Sequence, residues 1–184
     1  MPGHRYVRAG GVAVELGGGG GAFGCGHLAT NAAQAWSAGV GYYVRMFTET
    51  ACPVNEVTLR VVTTAAATID IGIFAPTSVS GSPAPGVPIA RMGAVAVPAV
   101  GVVTLPFPET TVPAGDSWYG WVISAATPQL AYFSAAAGFG TVNPVVKDTA
   151  RCRSLAAQGP PFPATSAAAA LPHTTAPMLW FSHT

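Results

Sequence analysis

The central part of the chain, residues 42–125, alternates apolar and polar side chains with a period of two. In residues 57–61 (VTLRV), three apolar side chains fall on one face of an extended chain, and Thr58 and Arg60 fall on the other. The same pattern returns in residues 69–74 (IDIGIF), and further β-rich runs follow at residues 95–97, 103–107, 118–123, 130–134 and 177–181. The pattern therefore predicts a series of short strands.

Clusters of Pro, Gly and Ser separate the central strands and lie at residues 75–88, 98–101 and 108–115. No amphipathic segment of helical length lies between them. Short strands at this spacing are typical of an all-β fold, and we expect an antiparallel β-sandwich with a jelly-roll-like core. Within it, residues 77–86 predict an exposed and mobile loop, and residues 98–101 predict a hairpin-like connection.

The first 40 residues differ from this core. Residues 5–16 predict a first strand, or a hairpin around Gly10 and Gly11, and the Ala-rich residues 27–38 are compatible with a short helix or an irregular cover. Between them lies a predicted hinge of five consecutive glycines with almost no conformational preference: Gly17, Gly18, Gly19, Gly20 and Gly21. We therefore expect an N-terminal attachment arm, residues 1–40, followed by a β-sandwich domain, residues 41–184.

The composition favours association with other chains. Charged residues make up only 8% of the 184 residues, while hydrophobic residues reach 50%, and an average soluble domain has about 25% charged residues. Surface charge alone cannot easily keep such a monomer in solution, so either Thr, Ser and Gly cover its outside or other chains cover much of it, and we expect the second. A net charge of +1 with Lys147 as the only lysine provides no basic patch for binding nucleic acid.

Targeting and cysteine signals are weak. The first five residues lack the apolar core of a signal peptide, and no run of about 18 apolar residues predicts membrane insertion. Cys25, Cys52 and Cys152 are odd in number and widely spaced, which favours reduced, buried thiols. A single Cys52–Cys152 bridge remains an alternative.

The order of these patterns resembles a known family. The runs that carry the resemblance are residues 56–61, 69–74, 86–90, 101–107 and 113–119. Together they are similar to a β-sandwich module of virion surface proteins of tailed bacteriophages, over about residues 42–182. In that module a strand ending in small, apolar and aromatic residues precedes a variable loop, and a Pro-Gly turn precedes an aromatic strand.

The resemblance implies a non-enzymatic protein of the virion, made in the host cytoplasm. It implies a tail fibre or tail appendage, or a head decoration or spike subunit, that acts by assembling with capsid or tail proteins. It also implies a homo-oligomer, with a homotrimer as the first expectation. Residues 76–88, with Ser80 and Ser82, would then form exposed tips that meet a host receptor such as a cell-surface glycan.

Motifs for catalysis, cofactors and metals are not specific. The glycine run matches GxGxxG at Gly19, Gly21 and Gly24, but no βαβ pattern surrounds it. Metal-ligand spacing is absent from the four histidines, at positions 4, 27, 173 and 183, and no GxSxG elbow surrounds Ser124 or Ser134. Nor does the sequence pair any two of the carboxylates Glu49, Glu56, Asp70, Glu109 and Asp116. We expect no enzyme activity, no cofactor and no metal.

The aromatic strand at residues 118–123 supports a second hypothesis. In an extended chain Trp118 lies on one face, and Tyr119 and Trp121 lie on the other. One face should belong to the core, while the other is either exposed or covered by a neighbour. An exposed aromatic face can stack on sugar rings, so a carbohydrate-binding module is the alternative to a virion structural protein.

Overall fold

The computed structural model of the chain describes residues 5–9, 12–16, 22–24, 33–79, 81–134, 152–156, 158–163, 171–172, 175–177 and 179–184. These residues contain strands and no helix, so the predicted all-β class is confirmed. The strands are β1 (Arg5–Ala9), β2 (Val12–Leu16), β3 (Ala22–Gly24), β4 (Ala33–Ala35), β5 (Gly41–Thr48), β6 (Cys52–Thr63), β7 (Thr68–Val79), β8 (Ser82–Arg91), β9 (Val95–Ala96), β10 (Gly101–Val112), β11 (Gly115–Ile123), β12 (Gln129–Ser134), β13 (Cys152–Leu155), β14 (Leu171–Pro172), β15 (Thr175–Pro177) and β16 (Leu179–Ser182).

Two antiparallel sheets pack face to face, and eight strands form their central part. The first sheet contains the order β4-β12-β6-β10, and the second contains β5-β11-β7-β8. Among these eight strands, the chain changes sheet at every connection except the β7–β8 hairpin. This is the connectivity of a jelly roll, in which two Greek keys are wrapped into a sandwich. The predicted sandwich with a jelly-roll-like core is therefore confirmed.

The other strands extend these sheets. In the first sheet, β16 pairs with β6 beside β12, β3 pairs with β16, and β15 pairs with β12. In the second sheet, β13 and β14 continue past β5, and the short β9 pairs with β7. Strands β1 and β2 form a separate antiparallel hairpin, in agreement with the prediction for residues 5–16.

The period-two pattern places one face of each sheet in a common core. On the central strand β11, Tyr119, Trp121 and Ile123 point between the sheets and are fully buried. The aromatic rings of this core meet edge to face, with the centroids of Trp36 and Trp121 4.9 Å apart and those of Phe107 and Phe181 5.2 Å apart. Apolar burial of this kind is the main force that holds two sheets together.

The N-terminal boundary of the sandwich lies earlier than predicted. Residues 33–35 form β4, which pairs with β12, and Trp36 is fully buried in the core. The helix considered for residues 27–38 is therefore wrong for its described part, and the boundary at residue 40 was placed too late. The sequence did not indicate this strand, because β4 is only three residues long and rich in alanine. Its place in the sheet depends on pairing with β12, which is distant in the chain.

Two predicted connections are also corrected. Residues 77–86 are mostly strand rather than mobile loop, because β7 and β8 pair as far as Val79 and Ser82, with Gly81 at a positive φ of 78° in the turn. Residues 98–101 do not close a hairpin. They carry the chain from β9 in the second sheet to β10 in the first.

Candidate functional site

The aromatic strand predicted as a ligand surface is buried on both faces. Trp118, Tyr119 and Trp121 are each 0% exposed. Tyr119 and Trp121 lie in the core between the sheets, whereas Trp118 lies on the opposite face of the second sheet. Of the two possibilities for the second face, exposed or covered, the structure shows a covered one, because a further layer of chain packs over the face that carries Trp118.

That layer is residues 158–163, which we call the covering segment. It places Phe162 against the outer face of the second sheet, in a buried cluster with Tyr43, Phe74, Trp118 and Val122 that we call the outer cluster. The ring centroids of Phe74 and Phe162 are 5.0 Å apart and nearly perpendicular, and those of Tyr43 and Phe74 are 5.1 Å apart. Edge-to-face contacts of this kind add to the energy of area burial.

Two glycines make room for the outer cluster. Gly72 of β7 and Gly120 of β11 pair with each other at the centre of the second sheet. A Cβ on Gly72 would lie 2.8 Å from the ring of Phe74, and a Cβ on Gly120 would overlap the backbone carbonyl oxygen of Tyr42. The runs IDIGIF and WYGWVI thus contain glycine where aromatic rings from neighbouring positions lie close over the sheet.

A buried carboxylate anchors the covering segment. Asp70 of β7 is 0% exposed, and its two oxygens accept hydrogen bonds from the backbone N–H groups of Phe162 at 2.8 Å and Gly93 at 2.9 Å. The Arg91 guanidinium donates to the carbonyl oxygen of Phe162. Burial raises the pKa of Asp70, although both N–H donors and the nearby Arg91 act in the opposite direction.

Tyr43 and Gly39 hold the other end of the covering segment. The Tyr43 hydroxyl donates to Oε1 of Gln158 at 3.0 Å, and the Gln158 N–H donates to the carbonyl oxygen of Gly39 at 2.8 Å. Burial, and then the charge of Asp70, raise the pKa of the Tyr43 hydroxyl. The segment is thus fixed at both ends, and it buries Asp70 and Tyr43 beneath it.

The remaining candidate groups for chemistry do not converge. Asp116 forms an ion pair with Arg45 at 2.5 Å, and the Ser124 hydroxyl accepts from the Thr68 N–H at 2.8 Å. In the described ranges, no three His, Cys, Asp or Glu side chains lie together as metal ligands. Cys52 is buried and free, so the alternative Cys52–Cys152 bridge is wrong. Of the four histidines, only His183 is described.

The predicted hinge, and one of the two serines predicted to contact a receptor, lie outside the described residues. Ser80 lies outside them, and of Ser82 only the backbone is described, where it begins β8 opposite Val79. Gly17, Gly18, Gly19, Gly20 and Gly21 also lie outside the described residues. The receptor-contact role of the two serines and the hinge role of the glycines therefore stay predictions.

One surface was not anticipated from the sequence, and it is the edge of the first sheet. Among the described strands, β10 pairs only with β6, so its second edge carries backbone groups that no described strand satisfies. A signal was present, because Pro106 and Pro108 interrupt an otherwise strand-like run, and proline within a strand is typical of a sheet edge.

In comparisons with protein-family models, with curated proteins and with solved structures, nothing matches this chain. Among the described residues, none belongs to a helix that is long and apolar enough to cross a membrane.

Proposed function

We propose that this protein is a structural subunit of the surface of a tailed-bacteriophage virion, either a tail appendage or a head decoration or spike. It acts by assembly, as a homo-oligomer, with a trimer expected, that contacts other capsid or tail proteins. The observation that carries the proposal is the scarcity of charge on the surface of the sandwich. A surface with few charges is better suited to burial between subunits than to lasting exposure.

The few charged side chains of the sandwich are partly used within the fold. Asp70 is buried, Arg91 donates to the covering segment, and Arg45 pairs with Asp116. The other charged side chains whose surroundings the structure describes are Glu49, Glu56, Arg60 and Glu109. Contacts between copies could therefore cover a large part of this surface without enclosing unpaired charges, which would be costly.

The jelly-roll fold agrees with the proposal without deciding it. Viral capsid and lectin domains both use jelly rolls, and a fold alone does not determine a function. The choice between a virion protein and a sugar-binding protein rests on the pattern resemblance to phage surface modules and on the burial of the aromatic strand. Because Trp118, Tyr119 and Trp121 are buried, a carbohydrate-binding module acting through that strand is no longer proposed.

Contact with a host surface is an additional part of the proposal. The β7–β8 hairpin projects exposed side chains at Pro76, Thr77 and Ser78 toward its turn. The short polar side chains of Thr77 and Ser78 are suited to contact a polar ligand such as a cell-surface glycan.

The solution mass of two forms of the protein tests the assembly role. The full-length chain is compared with a form lacking residues 1–21, which removes the β1–β2 hairpin and the glycine run but keeps β3 and β4 in the first sheet. A stable oligomer in both forms places self-association in the sandwich. A monomer in both forms at every concentration contradicts assembly of the protein by itself.

Membership of a virion needs a separate test. Phage particles produced by cells that carry the gene are banded on a density gradient, and their proteins are identified by mass spectrometry. Peptides of this chain in the particle band, at a constant ratio to the major capsid protein, support the proposal. Their presence only in the unassembled fraction contradicts it.

A further inference from the structure

Strand β10 lies at the edge of the first sheet as the described strands form it. It pairs with β6 from Gly101↔Val61 to Pro106↔Glu56 without interruption, and the register shifts only after Pro106. On its other side no described strand pairs with it. An edge of this kind can accept another strand through main-chain hydrogen bonds.

Pro106 identifies which residues face that edge. Proline has no N–H group, and within a ladder it is found where its nitrogen points away from the partner strand. Alternate residues point their backbone groups to the same side, so Val102 and Thr104 share the orientation of Pro106. The hydroxyls of Thr104 and Thr58 meet at 2.8 Å, as suits the closer pairs that exchange no backbone hydrogen bonds. The N–H groups of Val102 and Thr104 therefore point to the free edge.

The corresponding edge of the second sheet is protected. Strand β8 is the last in that sheet and contains Pro83, Pro85 and Pro88 within ten residues. Prolines at these positions remove donors that a foreign strand would need, which is a common way to prevent edge pairing. In β10 the prolines begin only at Pro106, so residues 101–105 keep a complete set of donors and acceptors.

The open stretch is also apolar and uncharged. Residues 101–105 (GVVTL) contain no charged side chain. Val102 is 54% exposed and the adjoining Val100 is 59% exposed, and both are among the four large hydrophobic side chains that the described chain exposes most. Two such edges can approach each other without repulsion between like charges.

We propose that residues 101–105 of β10 pair antiparallel with the same residues of a second copy, across a two-fold axis, so that the first sheets of the two copies join into one continuous sheet. A strand that meets itself about such an axis is self-complementary, because each copy supplies the groups that the other needs. This inference deepens the proposed assembly role and rests on it. The contact joins copies in pairs, so it converts a monomer to a dimer, or a trimer to a hexamer when the two-fold axis crosses the three-fold axis.

Paired substitutions test this contact. In Val102→Pro/Thr104→Pro, the two N–H groups at the free edge are removed, while the bonds to β6 are spared. The matched control Val102→Thr/Thr104→Ser keeps both N–H groups and the hydroxyl at position 104. Mass is measured by light scattering over a concentration series, and circular dichroism verifies the fold. We expect the wild type and the control to double in mass with concentration, and the proline variant to lose this step.

Amide hydrogen exchange of the wild type provides a second measurement that needs no variant. The amides of Val102 and Thr104 should exchange rapidly in the undoubled unit and become protected as the mass doubles. Doubling that survives in the proline variant, or that leaves these amides unprotected, overturns the edge contact but not assembly. Protection of these amides in the undoubled unit means that another part of the chain covers the edge, and it also overturns the inference. A wild type that never doubles overturns it as well, while the particle experiment still decides the proposed function.

Discussion

The covering segment makes a quantitative prediction for Phe162→Ala. The Phe162 side chain is 1% exposed and packs against Tyr43 and Phe74 in the outer cluster. Truncation of a buried phenylalanine to alanine costs about 3–5 kcal/mol, because the lost transfer energy is added to the cost of the cavity. For a domain of this size, about 1 kcal/mol shifts Tm by roughly 2–4 °C. We therefore expect Tm to fall by roughly 6–20 °C.

Chemical denaturation with urea measures the change directly, and Phe47→Ala is the matched control. Phe47 lies on β5 of the same sheet but is 47% exposed, so its truncation should cost only about 1 kcal/mol. Loss of the Phe162 ring should also open the outer cluster. We expect acrylamide to quench the fluorescence of Trp118 more strongly in Phe162→Ala than in the wild type.

The comparison between the two phenylalanines decides whether the covering segment is part of the folded domain. If Phe162→Ala is destabilised no more than Phe47→Ala, residues 158–163 do not seal the second sheet. The burial of Trp118 would then need another cause, and the conclusion that the aromatic strand has no free face would be refuted.

Three further predictions concern single groups. Burial raises the pKa of Asp70 above its ordinary value of 3.8. The free energy of unfolding of the wild type, relative to that of Asp70→Asn, should therefore increase as pH falls from neutral through this raised pKa. A difference in urea denaturation that does not change with pH contradicts this. Gly120→Ala should destabilise the protein by about 1–3 kcal/mol or more, because its Cβ overlaps the carbonyl oxygen of Tyr42, and an unchanged Tm would show that the strands can separate. Burial also raises the pKa of the Cys52 thiol. In a Cys25→Ser/Cys152→Ser background this thiol should therefore react with a disulfide reagent only after denaturant is added. Rapid reaction of the native protein contradicts its burial.

The sequence predicted the parts of the fold that depend on local alternation. Ile69, Ile71 and Ile73 point to one side of a strand in any β fold, and they lie in the core as expected. The sheet to which each strand belongs depends on tertiary contacts. Residues 98–101 illustrate this, since the same Pro and Gly signals suit a hairpin and a connection between sheets.

The candidate site was harder to predict because a distant segment covers it. Asp70 lies on what appears from the sequence to be the polar face of a strand, and Trp118 lies on the same outer face. Phe162, which follows Asp70 by 92 residues in the chain, packs over that face and helps to bury both. Residues 158–163 have no strand or helix period, so no local pattern indicates where they dock. For the free edge of the first sheet, the signal in the sequence was Pro106, because proline within a strand is typical of an edge.

The pair of glycines at the centre of the second sheet has a consequence for how this protein can vary. With the covering segment on one side and the first sheet on the other, β5, β7 and β11 form the middle of three layers, and their buried side chains must fit a neighbour on either face. Within the sheets, changes that alter surface properties without disturbing the fold are therefore easiest on the outside of the first sheet and near the β7–β8 turn. A library randomised at those two places should yield mostly folded proteins, whereas one randomised along β11 should yield few.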